Sequence, residues 1–238
     1  MVFTGSTAVA KIINRALAAK DGAIVPLIAE TGGINAMLVD STALPEQVCD
    51  AVVQSAFRSA GQRCSALRLL CVHEAIADHV IEMIQGAARE LVTGDPADLA
   101  TDVGPVIDQQ AFESIQMQLK RLNLESKPLL AVGSIALSAI DSGVSSSQAP
   151  VLANLIQPQA FEVSAIADVK QEIFGPVLHI VRWGSGALSD PQAVIDQINA
   201  LGYGLTLGIQ TRIDSRAQAL ARAARTICTA FVRSKPSR

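Results

Sequence analysis

Aromatic residues make up only 3 % of this 238-residue chain, and charged residues only 17 %. So few rings argue against a platform on which nucleic-acid bases stack. A net charge of −3 leaves no basic footprint for a polynucleotide. The longest weakly polar run, Leu129 to Ile140, is interrupted by Gly133, Ser134 and Ser138 and is too short to cross a bilayer. Met1-Val2-Phe3-Thr4-Gly5 shows no basic segment leading into an apolar one, so no secretory leader is expected. Four cysteines (Cys49, Cys64, Cys71, Cys228) lack metal-ligand spacing and a disulfide-rich pattern, and His73, His79 and His179 share no ligand spacing. The expectation is no metal, no nucleic acid, no membrane, and a cytoplasmic location.

What is abundant is apolar side chains. Hydrophobic residues reach 50 % and mean hydropathy is +0.35, high for a free-standing soluble chain, which implies surface that expects a partner or further chain. Short apolar runs alternate with helical periodicities. Helices are predicted over Thr7–Asp21 (capped by Ser6 or Thr7, stripe Val9, Ile12, Ile13, Ala16, Leu17), Pro45–Ala60, Ala75–Leu91, Gln109–Leu122, Pro191–Leu201 and Asp214–Arg225 (capped by Asp214 or Ser215). Strands are predicted over Ala23–Ala29, Ala36–Val39, Leu67–Val72, Leu129–Val132, Val151–Ile156, Val177–Trp183 and Leu205–Thr211. The alternation reads as an α/β fold with largely parallel pairing. Ser142 to Gln148 reads as an exposed low-complexity loop.

Chemistry concentrates around two glycine-rich turns. Glu30 precedes Thr31-Gly32-Gly33, where a sharp turn can aim a carboxylate into a cleft as a general base. Cys64 follows Gly61-Gln62-Arg63 at a predicted helix exit, beside a cation that favours the thiolate. Taken alone, a free cysteine is more often buried and structural, and a strand-end glutamate is more often solvated. Cys71 and Cys49 fit that ordinary description, as parts of an apolar strand and a helix.

Four motifs in order carry a resemblance: Phe3-Thr4-Gly5-Ser6-Thr7, Glu30-Thr31-Gly32-Gly33, Gly61-Gln62-Arg63-Cys64 and Glu172-Ile173-Phe174-Gly175-Pro176. The chain resembles the aldehyde dehydrogenase superfamily. Asn35 to Gln47 and Ser55 to Ala60 look like one branch, the L-glutamate γ-semialdehyde dehydrogenase module of bifunctional proline utilization A. The resemblance implies an aldehyde dehydrogenase catalytic domain over 33–225, a remnant of the Rossmann-like NAD-binding domain over 1–32, and a divergent tail over 226–238. It implies NAD as cofactor and a small aldehyde as substrate. It makes Cys64 the nucleophile and Glu30 the base that activates the deacylating water. Gly5 and Ser6 would lie beside the cofactor, Glu172 would grip the nicotinamide ribose, Phe174 would wall that end, and Ser65 would meet the substrate carboxylate.

By the same resemblance, several family parts find no counterpart. An oxyanion-stabilising asparagine is expected upstream of Phe3, and Asn35 lies on the wrong side of Glu30 to replace it. The bulk of the cofactor sheet, a carboxylate-anchoring loop and the terminal oligomerisation strand are also unmatched. The expectation is a fragment, inactive by itself. Two alternatives remain: a non-catalytic remnant, or a NAD-independent cysteine acyl hydrolase using Cys64 and Glu30. A ribose-gripping Glu172 would be superfluous in the hydrolase.

Overall fold

The computed structural model describes residues 1–130, 153–226 and 228–232. Among these, a seven-stranded sheet runs in the order β5-β6-β7-β4-β3-β8-β9. Its strands are β3 (Asn35–Val39), β4 (Leu67–His73), β5 (Lys127–Pro128), β6 (Gln159–Glu162), β7 (Val177–Trp183), β8 (Thr206–Gln210) and β9 (Cys228–Val232). All neighbours pair in parallel except β5 with β6. The fold is α/β with a predominantly parallel sheet, as the strand–helix alternation implied.

Both faces of the central strands are buried, so they read as apolar runs rather than alternating ones. Along β3, Met37 and Val39 join one core with Val52 of α2 (Pro45–Ala56) and Val80 and Ile84 of α3 (Glu74–Arg89). Ala36 and Leu38 join the other, with Val194 and Ile195 of α5 (Pro191–Ala200) and Leu220 of α6 (Asp214–Ala223). A third cluster sits under α4 (Gln109–Glu125), built on Ile115, Leu122, Phe161 and Ile173. β4 does not keep strict alternation. Asn35 pairs with Leu67 but Ala36 with Leu69, so Arg68 is an extra residue in a bulge.

Residues 2–30 make a sheet of their own. β1 (Val2–Thr4) and β2 (Ile28–Glu30) pair in parallel across α1 (Thr7–Ala18). The apolar stripe expected to bury α1 is largely uncovered: Val9 and Ile12 are exposed, and only Ala10 of the helix is buried. Among the described residues no second layer packs on it.

Other expectations need correcting. α2 stops at Ala56 rather than Ala60, because Ser59, Ala60 and Gly61 all take positive φ. α6 ends at Ala223 and its N-cap is Ile213, without the side-chain cap expected from Asp214 or Ser215. No strand forms over 153–156, where the Asn154 carbonyl instead accepts from the Val106 amide of the loop before α4. The strand comes after Pro158, as the unanticipated β6. Residues 131–132 and 151–152 of two predicted strands, and the Ser142–Gln148 loop, lie outside the described residues. β5 covers Lys127–Pro128, earlier than the strand expected from Leu129. Within the tail read as divergent, residues 228–232 run parallel to β8 at the sheet edge.

Candidate active site

The site assembles at the amino-terminal ends of β3, β4 and β7, where the glycine-rich turns enter the sheet. Between α2 and β4 the backbone makes a left-handed excursion, with φ of +55° at Ser59, +51° at Ala60 and +64° at Gly61. Left-handed serine and alanine are uncommon, and such strain persists only where neighbours hold it. At Gly61 a Cβ would lie 2.2 Å from the Gly175 carbonyl oxygen, so the turn docks onto the Phe174-Gly175-Pro176 loop at a distance only glycine allows. The excursion ends at Cys64, which is exposed, while Cys49 and Cys71 are buried in the sheet–helix core. Burial pushes the Cys71 thiol up, and burial with the neighbouring Asp50 charge does the same at Cys49.

Asn35 holds the Cys64 segment from below. Its buried amide donates to the Cys64 carbonyl at 2.7 Å and the Ala66 carbonyl at 2.9 Å, and its oxygen accepts from Thr206 N–H at 3.1 Å. Arg63, next to Cys64 in the chain, donates to the Gln54 carbonyl of α2 at 3.0 Å. An open depression of about 330 Å³ beside the turn is lined by Ala51, Gln54, Ser55, Arg58, Arg63 and Ser65. Ser65 therefore shares a rim with two guanidinium groups.

Glu172 is brought to the same corner. Its carboxylate accepts from Gly33 N–H at 3.2 Å and faces the buried Arg68 at 3.4 Å. A Cβ on Gly32, whose φ is +93°, would lie 2.2 Å from that carboxylate. Burial pushes the Glu172 carboxyl above its ordinary range; the Arg68 charge and the Gly33 amide pull downward without cancelling it. Arg68 also donates to the carbonyls of Gly175 (2.9 Å) and Gly61 (2.7 Å) and lies 5.5 Å from the centroid of the partly exposed Phe174 ring.

Gly5, Ser6 and Glu30 form a second group. Gly5 N–H donates to the Glu30 carbonyl, Ser6 caps α1 through Val9 N–H, and Thr7 bonds the Thr31 carbonyl. Thr31-Gly32-Gly33 is the link between the two groups. Glu30 and Cys64 are both exposed, and among the described residues no hydrogen bond joins them. No expectation attached to Arg68, and Asn35 figured only in the branch resemblance over Asn35 to Gln47 and as a residue on the wrong side of Glu30 to replace the oxyanion asparagine. A lone arginine inside the apolar run Leu67-Arg68-Leu69-Leu70 was the available signal, since a charge there needs buried partners.

Fold and site together define an α/β protein with an exposed thiol on a strained, glycine-docked turn and a half-buried carboxylate beside it. The chain belongs to the aldehyde dehydrogenase family, whose pattern matches residues 1–233. It is 44 % identical over 217 residues to the bifunctional protein PutA of Escherichia coli (strain K12), covering 90 % of this chain and 16 % of that protein. It is 32 % identical over 212 residues to a 1-pyrroline-5-carboxylate dehydrogenase of Bacillus cereus (strain B4264), covering 88 % of this chain and 38 % of that one. A crystal structure of bifunctional proline utilization A superposes with a TM-score of 0.86 at 49 % identity, covering 98 % of this chain and 22 % of the other. The chain thus spans about a sixth of the length of the curated PutA relatives it matches.

Proposed function

We propose that this chain carries the cysteine-bearing portion of an NAD-dependent dehydrogenase that oxidises L-glutamate γ-semialdehyde to L-glutamate. The observation that carries the reading is the meeting of Glu172 and the Gly61–Cys64 turn on the buried Arg68, with the Gly32-Gly33 turn bonded to the same Glu172 carboxylate. Likeness to PutA and to 1-pyrroline-5-carboxylate dehydrogenase supports the substrate class. The acyl-hydrolase alternative gives no role to a carboxylate held in this corner.

In this reading the Cys64 thiolate attacks the aldehyde carbon, giving a tetrahedral oxyanion that the Cys64 backbone N–H helps to stabilise. NAD, when bound, would supply the acceptor for the hydride that leaves this adduct as it becomes the thioester. Glu172 fits the ribose side of such a ligand, because its carboxylate is fixed against a glycine turn whose added Cβ would displace it. Phe174, partly exposed beside it, offers an apolar wall, and Gly5 and Ser6 would lie beside the diphosphate at the positive end of α1. Glu30 takes a proton from the water that hydrolyses the thioester, releasing the acid. Ser65, with Arg58 and Arg63 around the same depression, receives the substrate's carboxylate.

Protection of Cys64 from iodoacetamide tests this on the chain itself. L-Glutamate γ-semialdehyde is expected to slow alkylation of Cys64 more than propanal does at equal concentration, because only the former brings a carboxylate to the arginine-lined rim. Equal protection by both aldehydes would remove the substrate assignment.

A further inference from the structure

We propose that Arg68 is a positioning residue that locks the Cys64 turn and the Glu172 carboxylate into one unit, so that the two ends of the site respond to each other. The idea rests on the reading of Cys64 as nucleophile and Glu172 as ligand-gripping carboxylate. It is carried by where the sequence puts a charge. Arg68 is 1 % exposed as the second residue of the apolar strand β4, where a guanidinium is costly to desolvate. Its return for stability is modest. Among the described residues the carboxylate facing it is Glu172, 3.4 Å away; its Nε has no partner there, and burial lowers its affinity for its proton despite Glu172. An apolar side chain of similar volume would serve a core at least as well.

What Arg68 does supply is connection. One planar fork reaches Gly61 and, at 3.5 Å, Arg63 on the nucleophile turn, Gly175 on the loop after Glu172, and Glu172 itself. A lysine, a single point donor, could not span these directions. The bulge is what aims it. With Arg68 as the extra residue, Leu67 joins Leu70 and Val72 on the α2–α3 face, and the arginine is freed from the alternation to enter the corner. Its backbone is held as well, since its carbonyl lies 3.1 Å from Nδ1 of the buried His179 on β7. The left-handed turn at Ser59–Gly61 therefore has a named restraint: Arg68 holds its last carbonyl while Gly61 packs on Gly175.

The test is a double-mutant cycle read by the rate of iodoacetamide labelling at Cys64, which needs neither substrate nor NAD, so its outcome is separate from the substrate assignment. Buried Cys49 and Cys71 report in the same experiment whether each variant is folded. In folded protein, Arg68→Met is expected to slow Cys64 labelling about fivefold, and Glu172→Gln to change it at least about twofold. In the double variant Glu172→Gln is expected to add nothing, because the connection is already cut. Cys64 labelling unchanged in Arg68→Met with Cys49 and Cys71 protected would overturn the proposal, as would effects that simply multiply. Should Arg68→Met expose Cys49 and Cys71, the Glu172→Gln single variant decides: a Cys64 rate equal to the unmodified protein's refutes the coupling, and a changed rate supports it.

Discussion

At the scale of single residues, the three cysteines with described side chains sit in opposed environments. Cys64 is exposed on a docked turn, whereas Cys49 and Cys71 are buried and their thiols are pushed up. Since the thiolate is the reactive form, limited alkylation followed by peptide mapping should find Cys64 modified well before the other two. Earlier labelling of Cys49 or Cys71 in folded protein would contradict this. His179 is the other residue with a distinct charge behaviour. Burial lowers its pKa to about 4, only partly offset by its bond to the Arg68 carbonyl, with Arg121 and Arg68 charges adding to the depression. Between about pH 6.5 and pH 4 the unfolded chain takes up a proton that the folded protein refuses, so stability falls as pH drops through that window. The full difference is on the order of 3 kcal/mol. Urea midpoints compared at about pH 7 and pH 4.5 should show this loss in the unmodified protein and a smaller one in His179→Gln. Identical pH dependence in the two would refute it. That Cys64 lies exposed on a turn was legible from its glycine-rich surroundings. That His179 is buried was not, because its neighbours in the sheet come from segments far away in the chain.

At the scale of elements, the site depends on how strands begin. Asn35 opens β3 and uses all of its amide: two donors to the Cys64 and Ala66 carbonyls, and one acceptor for Thr206 at the start of β8. Asn35→Asp keeps the shape but brings acceptor oxygens against two carbonyls. A loss of about 1–3 kcal/mol is expected, with changed Cys64 labelling, because a buried bond is replaced by an unsatisfied contact. Thermal unfolding and the labelling rate check both, and an unaltered melting curve would argue against this account. Most elements could be read from periodicity, since Val177–Trp183 and Leu67–His73 are apolar runs and Pro45 and Pro191 each open a helix. The misses share a cause. β6 has too few β-forming residues to stand out, and it becomes a strand because β7 and β5 pair with it on either side. The early end of α2 comes from tertiary docking of Gly61 on Gly175, which local propensity does not contain.

At the scale of the whole molecule, the site lies at the amino-terminal edge of the large sheet. At the opposite edge, where ligands of open α/β sheets usually bind, Asp40 is fully buried and bonded to Thr211 and Arg216. The β1-α1-β2 unit stands apart, with Val2, Ile12, Ile24 and Ile28 at 60 % exposure or more. Two strands make a marginal sheet and offer little of the surface a dinucleotide needs. Residues 1–238 alone, given L-glutamate γ-semialdehyde and NAD, are therefore expected to form NADH at no more than background. A clear rate that disappears in Cys64→Ala would overturn that expectation. By itself the sequence determined the fold class and where the glycine-rich turns fall, because hydrophobic period and glycine placement are local properties of the chain. Only the tertiary structure decided that Arg68 ties those turns together, that Asn35 supports Cys64, and that the stripe of α1 stays uncovered. Each of these depends on which distant segments meet, and a linear pattern records composition along the chain but not the distances across it.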